Sequence, residues 1–255
     1  MTQSALPIYD LADTLVEACH SATRLLLSAP TGSGKSTQVP QILLDRGVLG
    51  DGEVVVLQPR RLAARLLAMR VAEERGCALG TEVGYQVRLE GQTSAATRIR
   101  YVTEGILLRR LLTSPDLAGI SAILFDEFHE RHVYGDITLA RARMLQATTR
   151  PDLLLGVMSA TLDTGVVHGY LSPCPVLSSA GRQYAVEVAY LPQPVDARRQ
   201  PIWDTAATAF EQLVRSGVDG DVLIFMPGAY EIMRTIDTLG ELTFARGWSV
   251  LPLYG

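Results

Sequence analysis

Short apolar runs alternate with amphipathic stretches along most of this chain, and that alternation limits the folds open to it. Six runs have the length and composition of buried strands: Arg24 to Ser28, Glu53 to Leu57, Val83 to Arg88, Ile99 to Val102, Ala122 to Phe125 and Leu153 to Met158. Helical patterns lie between most of these runs, which is typical of repeated βα units. We therefore predict an α/β fold with a mostly parallel sheet that helices cover on both faces.

A change in composition near residue 180 indicates a second part of the chain. The stretch 178–181, Ser-Ser-Ala-Gly, has the composition of a linker, and prolines follow at 192, 194 and 201. Beyond it we expect helices at Trp203 to Val214 and after Gly228, and strands at Tyr184 to Leu191, Val222 to Met226 and Trp248 to Tyr254. We predict one domain over residues 1–179 and the beginning of a second, truncated one over residues 180–255.

The composition narrows the function classes. The 23 basic and 27 acidic residues give a formal charge of −4, so any nucleic-acid site must be a local patch. The first twenty residues lack the basic start of a leader, and no apolar run is long enough to span a bilayer. The three cysteines are widely spaced and odd in number, which favours reduced thiols. We predict a cytoplasmic protein without a membrane partner.

A glycine-rich loop follows the first apolar run and contains the only lysine of the chain: Ala29-Pro30-Thr31-Gly32-Ser33-Gly34-Lys35-Ser36-Thr37. Its spacing fits the Walker A pattern, with alanine in place of the first glycine. A compact ammonium fits between two phosphates, where a planar guanidinium is too wide. The glycines let backbone N–H groups face the phosphates. We predict that residues 31–37 bind ATP and that Ser36 binds Mg²⁺; the alternative is an ordinary glycine turn before a helix.

Two acidic residues, Asp126 and Glu127, follow the apolar run that ends at Phe125. Ligands of open α/β sheets bind at the carboxyl ends of the strands. In phosphate-loop ATPases one acid at this place holds Mg²⁺, and an adjacent acid can orient and deprotonate the attacking water. We assign Asp126 to the metal and Glu127 to the water; the alternative is a charged helix cap after a strand.

Residues Asp126 to Arg131 read Asp-Glu-Phe-His-Glu-Arg. An Asp-Glu-x-His motif downstream of such a loop resembles that of superfamily 2 DEAH-box helicases. Phenylalanine at its third position resembles the motif of their bacterial HrpB branch. Other motifs of that family occur here in the same order. They are 58–65 for motif Ia, 83–88 for the Val-Gly-Tyr-x-x-Arg string, 103–105 for motif Ib, 159–161 for motif III and 223–228 for motif IV. The resemblance implies two RecA-like domains and NTP hydrolysis coupled to RNA unwinding or ribonucleoprotein remodelling.

The resemblance also implies roles for single residues. His129 matches the residue that links the nucleotide site to the second domain, and Ser159 and Thr161 match those that couple hydrolysis to domain movement. Arg70 matches the arginine that stacks on the adenine, a contact indifferent to base identity, so other NTPs are also expected. The plainer alternatives are a structural histidine, hydroxyls that cap a turn and a solvated helix arginine.

Single-stranded RNA is the expected polymer. Arg60 and Arg61 follow a strand and open a helix, and Thr103 and Gly105 stand at the start of another helix in the motif Ib string. Side chains and backbone N–H groups at such places contact phosphates without reading bases, so the binding is expected to be sequence-tolerant and salt-sensitive. DNA is an alternative polymer, and a solvated helix start is the alternative for the two arginines.

Two later motifs of the family, V and VI, have no match in the chain, including the arginines of motif VI that reach the γ-phosphate. We therefore expect the N-terminal fragment of a helicase, with weak turnover of its own. One alternative is a phosphate-loop ATPase switch that acts on a protein partner. Another is a nucleotide-binding module without useful turnover.

Overall fold

The structure is a computed structural model that describes residues 6–114, 116–161, 165–181, 186–191, 194–196, 199–217 and 220–253. The chain divides into two compact units, unit 1 over Met1–Tyr184 and unit 2 over Ala185–Gly255. No helix in the described ranges is both long and apolar enough to cross a membrane.

An eight-stranded sheet forms the middle layer of unit 1. Its strands are β1 (Arg24–Ser28), β2 (Glu53–Gln58), β3 (Val83–Val87), β4 (Glu90–Gln92), β5 (Ile99–Thr103), β6 (Ile120–Phe125), β7 (Leu154–Ser159) and β8 (Val176–Ser178). Their order across the sheet is β4-β3-β5-β2-β6-β7-β1-β8. Every neighbouring pair is parallel except β3 and β4. The predicted α/β fold with a mostly parallel sheet is therefore confirmed.

Helices cover both faces of this sheet. They are α1 (Ala12–Ser21), α2 (Lys35–Asp45), α3 (Arg61–Glu74), α4 (Glu104–Thr113), α5 (Val133–Thr148) and α6 (Gly165–Leu171), with short 3₁₀ turns at Pro7–Leu11 and Phe128–Glu130. Leu25 and Leu27 of β1 share one core with α1, α2 and α3, whereas Leu26 shares the other with α4, α5 and α6. Successive side chains of a strand point to opposite faces, so the apolar run of β1 contributes to both cores.

The carboxyl ends of β5, β2, β6, β7 and β1 lie side by side, because these five strands are parallel neighbours. Each of these strands leads directly into one of the motifs found in the sequence. The motifs follow in the order of the strands just given: Thr103-Glu104-Gly105, Gln58 to Arg65, Asp126 to Arg131, Ser159-Ala160-Thr161, and the glycine-rich loop. Segments distant in sequence therefore meet along one edge of the sheet.

Two strands of unit 1 were not expected. The residues of β4 are all exposed and pair antiparallel with β3, so no apolar alternation marks them in the sequence. The three residues of β8 pair with β1 at the other edge of the sheet. Both are short edge strands whose hydrogen bonds, more than their side chains, decide their structure.

Unit 2 contains α7 (Ile202–Arg215), α8 (Ala229–Gly240) and a 3₁₀ turn at Thr243–Ala245, and both predicted helices are present. The prediction of strands at 222–226 and 248–254 is wrong for the described residues. Residues 222–226 and 248–253 form no hydrogen-bonded pairing with a neighbouring strand. Alternate residues of these segments, such as Val222 and Ile224, nevertheless pack on the small helical core around Phe210. The alternation thus follows burial, but a strand also needs a hydrogen-bonding neighbour.

The strand predicted at 184–191 lies partly outside the described residues. Its described portion, 186–191, forms no strand. Val186, Val188 and Tyr190 are all highly exposed there, so this portion lacks the buried face that the apolar alternation had indicated.

Candidate functional site

The glycine-rich loop connects β1 to α2 in the way that the sequence predicts. Gly32 and Gly34 have φ values of 81° and 94°, a left-handed conformation that side chains other than glycine rarely adopt. Gly34 precedes the first helical residue, Lys35, so the unpaired N–H groups at the start of α2 face the loop. The buried hydroxyl of Ser33 has no hydrogen-bond partner. The loop therefore presents polar groups suited to an anion.

The N-terminal 3₁₀ turn lies against this loop. The Ile8 N–H donates to the carbonyl oxygen of Ser33 at 3.1 Å, and the side chains of Leu6 and Ile8 approach Gly34 so closely that a Cβ there would meet them at 3.1 and 3.2 Å. Gly34 is therefore needed both for its backbone angle and for this close approach. The turn was not recognised in the sequence, since nothing in a five-residue segment indicates what it packs against.

Lys35 and Glu127 form an ion pair across the edge of the sheet. The ammonium is only 3% exposed, and its Nζ lies 3.0 Å from Oε1 of Glu127. Glu127 has a φ of 49°, a strained left-handed angle that is unusual for a residue other than glycine. The structure thus brings together two predicted residues that are 92 positions apart.

Asp126 is 5% exposed and is held from two sides. Gln58 Nε2 donates to its Oδ2 at 2.5 Å, and the Glu127 N–H donates to its Oδ1 at 2.9 Å. Burial raises the pKa of Asp126, although the Ser36 side chain, Lys35 and Gln58 act in the opposite direction. The buried Asp126 carboxylate therefore lies beside Ser36, the other residue predicted to bind Mg²⁺.

His129 stands between Glu127 and the segment Ser159-Ala160-Thr161. Its Nδ1 accepts a hydrogen bond from the Ala160 N–H at 3.3 Å and lies 3.5 Å from Oε2 of Glu127. Nδ1 cannot accept from Ala160 and donate to Glu127 at the same time. His129 Nδ1 therefore bonds only one of these two neighbours at a time.

The Thr161 carbonyl oxygen joins the end of β7 to the end of β1, because it accepts from the hydroxyls of both Ser159 and Ser28. The Thr161 N–H donates to Ser159 Oγ at 3.2 Å, and Ser159 Oγ donates to the Thr161 carbonyl oxygen at 3.1 Å. That same carbonyl accepts from Ser28 Oγ at 3.2 Å. The Ser28 contact thus connects the end of β1, which leads into the glycine-rich loop, to this segment.

Arg70, on α3, pairs with two neighbouring carboxylates of its own helix. Its Nε lies 2.8 Å from Glu74 and its Nη1 lies 3.4 Å from Glu73. Glu74 in turn accepts hydrogen bonds from Gln38 and Gln41 of α2. The sequence analysis did not identify Glu74, Gln38 or Gln41. The available signal was the presence of two glutamines, three residues apart, among the core-facing residues of α2.

The four residues predicted to contact nucleic acid lie at the carboxyl ends of β2 and β5. Arg60 is 73% exposed and pairs with Glu130 at 3.0 Å, and Arg61 is the exposed first residue of α3. Thr103 caps the start of α4 without using its hydroxyl for a cap bond, and Gly105 is exposed. All four residues therefore lie at the same edge of the sheet as the glycine-rich loop.

A second link joins the carboxyl end of β5 to the segment that follows β6. His132 lies 3.6 Å from both Glu104 and Glu130, through its two ring nitrogens. Burial raises the pKa of Glu104, while His132 opposes that rise. Nothing in the local sequence indicates that Glu104, Glu130 and His132 meet, because their contact depends on the order of the strands in the sheet.

Comparisons with known proteins agree with this arrangement. The sequence profile of the DEAD/DEAH box helicase family matches residues 10–168. The ATP-dependent RNA helicase HrpB of Escherichia coli is 40% identical over 99% of this chain and 30% of that protein. The probable ATP-dependent RNA helicase DHR2 of Saccharomyces cerevisiae is 38% identical over 94% of this chain and 32% of its own.

The likeness extends to a third relative and to solved structures. The pre-mRNA-splicing factor ATP-dependent RNA helicase prp22 of Schizosaccharomyces pombe is 39% identical over 99% of this chain and 22% of its own. A crystal structure of the Escherichia coli DEAH/RHA helicase HrpB matches with a TM-score of 0.89 and 40% identity, covering 98% of this chain and 31% of that one. The chain thus spans about a third or less of each relative.

The family profile covers the glycine-rich loop, the Asp-Glu-x-His string and Ser159-Ala160-Thr161, the segments that the fold brings to one edge of the sheet. Motif order, fold and overall sequence similarity therefore agree, and this chain belongs to the DEAD/DEAH box helicase family.

Proposed function

We propose that this chain is the nucleotide-binding part of an ATP-dependent RNA helicase, which couples NTP hydrolysis to RNA unwinding or ribonucleoprotein remodelling. The observation that supports this most directly is the contact between Lys35 of the glycine-rich loop and Glu127 at the end of β6. A lysine for phosphates and a carboxylate for water are placed at one point, as hydrolysis of a phosphoanhydride requires. The names of the relatives, all RNA helicases, support the choice of RNA.

Residues 31–37 would hold the phosphates in this proposal. The N–H groups of the loop and the start of α2 face the anion, and Lys35 leaves Glu127 to pair with a phosphate oxygen. Glu127 is then free to accept a proton from the attacking water. Arg70 would stack on the base, which favours acceptance of several NTPs.

The residues at the end of β6 suit Mg²⁺. No group of three or more His, Cys, Asp or Glu side chains that could hold a metal occurs among the described residues. Mg²⁺ in nucleotide sites usually takes only one or two protein oxygens and keeps several waters. Asp126 and Ser36 offer such a pair, and the buried Asp126 carboxylate would be compensated by a cation. When bound, Mg²⁺ neutralises charge on the phosphates.

Nucleic acid would lie across the ends of β2 and β5. Arg60, Arg61 and the helix start at Thr103 and Gly105 would contact backbone phosphates of single-stranded RNA. DNA offers the same phosphates, so the discrimination between the two polymers belongs to the experiment. Coupling would run from Glu127 through His129 to Ser159 and Thr161, along the contacts described above.

The remaining assignments concern the second part of the chain and the cell compartment. We propose that residues 180–255 begin a second RecA-like domain, on the ground that the match to HrpB covers nearly the whole chain. All three cysteines are free thiols, which supports a cytoplasmic location.

The test is hydrolysis of ATP under single-turnover conditions, with the protein in excess because weak turnover is expected. Rates are compared without nucleic acid, with single-stranded RNA and with single-stranded DNA of the same sequence, and Glu127→Gln is the negative control. The proposal is supported if RNA increases the hydrolysis rate and the Glu127→Gln variant shows no hydrolysis. If the wild type hydrolyses ATP, Glu127→Gln does not, and RNA leaves the rate unchanged, the ATPase switch that acts on a protein partner is favoured.

A further inference from the structure

Glu74, the last residue of α3, lies at the centre of a polar network beside the glycine-rich loop. Its side chain is only 12% exposed. Oε2 accepts from Gln38 Nε2 and Gln41 Nε2, both at 2.9 Å, and Oε1 accepts from Arg70 Nε at 2.8 Å. One carboxylate therefore joins α2 to an arginine of α3.

Gln38 is fully buried and has no hydrogen-bonding capacity left. Its Nε2 donates to Thr37 Oγ1 at 3.0 Å and to Glu74, and its Oε1 accepts from the Tyr9 hydroxyl at 2.6 Å and from Gln41 at 3.3 Å. An amide has two donor hydrogens and two acceptor sites, and all are in use. Gln38 therefore cannot read a ligand and serves to hold the network in place.

Of Glu74, Gln38, Gln41 and Arg70, only Arg70 has a large exposed surface. Its Nε donates to Glu74, while 58% of its side chain remains exposed to solvent. Burial opposes ionisation of Glu74, but the hydrogen bonds from Gln38, Gln41 and Arg70 outweigh it and lower the pKa of Glu74. A flexible arginine is thus held in one orientation by a charged and well-anchored partner.

We propose that Glu74 is a positioning residue of the nucleotide site: it orients Arg70 toward the nucleoside and, through Gln38, ties that arginine to Thr37 of the phosphate loop. The inference deepens the proposed function and rests on it. An interaction of this kind acts on the base and not on the phosphates. It therefore affects nucleoside triphosphates and leaves bare polyphosphate unaffected.

Glu74→Gln separates the two sides of the network. The amide oxygen can still accept from Gln38 and Gln41, but the amide nitrogen then faces Arg70 and cannot pair with another donor. The matched control is Glu73→Gln. That substitution makes the same change of charge at a carboxylate that is 75% exposed and reaches Arg70 only at 3.4 Å.

The experiment is calorimetric titration of ATP and of inorganic tripolyphosphate, both with Mg²⁺, into the same set of proteins. We expect Glu74→Gln to weaken ATP binding about 3- to 10-fold, the cost of ordering a free arginine side chain, and to leave tripolyphosphate binding unchanged. Arg70→Ala is expected to weaken ATP binding at least as much, and addition of Glu74→Gln to it should change nothing further. Glu73→Gln should bind both ligands like the wild type.

Equal weakening of ATP and tripolyphosphate by Glu74→Gln would overturn the inference, because Glu74 would then only support the loop. Unchanged ATP binding in Glu74→Gln would overturn it as well. These results differ from failure of the proposed function, in which the wild type would bind neither ATP nor tripolyphosphate. Retained tripolyphosphate binding also reports that the variant is folded.

Discussion

At the scale of single residues, the ammonium of Lys35 is buried with one carboxylate for a partner. Removing these charges from water costs free energy that a single ion pair offsets only in part. An incoming phosphate would supply a stronger partner for the ammonium. We expect Lys35→Ala to weaken Mg-ATP binding about 100-fold, since a hydrogen bond to a charged group is lost. Calorimetric titration measures the loss, and circular dichroism checks that the fold is intact.

The companion variant is Lys35→Arg, which retains the charge but adds width. It should bind ATP poorly too, because a guanidinium does not fit the slot between two phosphates. If either variant folds like the wild type and binds ATP with unchanged affinity, the loop does not bind phosphates through Lys35.

Glu127 gives the second prediction at this scale. Glu127→Gln retains the size and one hydrogen-bond acceptor near Lys35 but cannot take a proton from water. We expect nucleotide affinity close to that of the wild type and a single-turnover hydrolysis rate lower by about 100-fold or more. A hydrolysis rate equal to that of the wild type would remove Glu127 from the chemistry.

Residue identities were predictable from the sequence where a motif fixes them, and unpredictable where a partner comes from another strand. Lys35, Asp126 and Glu127 were recognised from local strings, and the structure brings them together. By contrast, nothing local indicates that Glu74 meets Gln38 or that Glu130 pairs with Arg60. Such contacts follow from how helices pack and how strands are ordered, which a string of neighbours does not encode.

At the scale of elements, Arg150 holds two connections of unit 1 together. It follows α5 and donates to the carbonyl oxygens of Asp116, Leu117 and Ile120 at 2.8, 3.1 and 2.8 Å. It also pairs with Asp152 at 2.7 Å, beside the start of β7. The loops before β6 and before β7 are therefore joined by one partly buried side chain.

We expect Arg150→Ala to lower the free energy of unfolding of unit 1 by about 2–3 kcal/mol, because several hydrogen bonds from a charged donor are lost. Amide hydrogen exchange followed by mass spectrometry measures this in peptides from β6 and β7, with peptides of α7 as the internal reference. Arg109→Ala is the control, an exposed arginine of α4 with no ion pair among the described residues. Equal exchange in the two variants would contradict the role of Arg150.

Elements buried on both faces were the most predictable part of the fold. The apolar runs of β1, β2 and β6 gave strands close to the expected ends, because burial on two faces leaves a nearly continuous apolar signal. The exposed strand β4 gave no such signal. In unit 2 the segment 222–226 had the signal without forming a ladder, so apolar alternation alone predicts burial better than pairing.

At the scale of the whole molecule, the charge of −4 means that no general positive field attracts a polyanion to this chain. The RNA binding proposed above must then depend on a few local contacts, and Arg60 and Arg61 are exposed for them at the carboxyl end of β2. Binding that uses few phosphates has a shallow dependence on salt, about 0.7 logarithmic units of affinity per decade of salt for each contact on a single strand.

The last prediction concerns how single arginines change this dependence of RNA binding on salt. We expect Arg61→Ala to weaken binding of single-stranded RNA and to reduce the salt slope by about 0.7, and Arg60→Ala to do the same. Glu130→Gln should strengthen binding, because it releases the guanidinium of Arg60 from its 3.0 Å ion pair. Fluorescence anisotropy of a labelled oligoribonucleotide at several salt concentrations measures the three slopes.

The matched control is Arg46→Ala, an exposed arginine that follows α2 and pairs with Asp13, away from the ends of β2 and β5. It removes the same charge and should leave the slope unchanged. If Arg46→Ala and Arg61→Ala reduced the slope equally, RNA would be responding to total charge, and the site at the strand ends would be wrong. A slope that changes only with Arg60 and Arg61 would place the RNA phosphates at the carboxyl end of β2, on the same edge of the sheet as the glycine-rich loop.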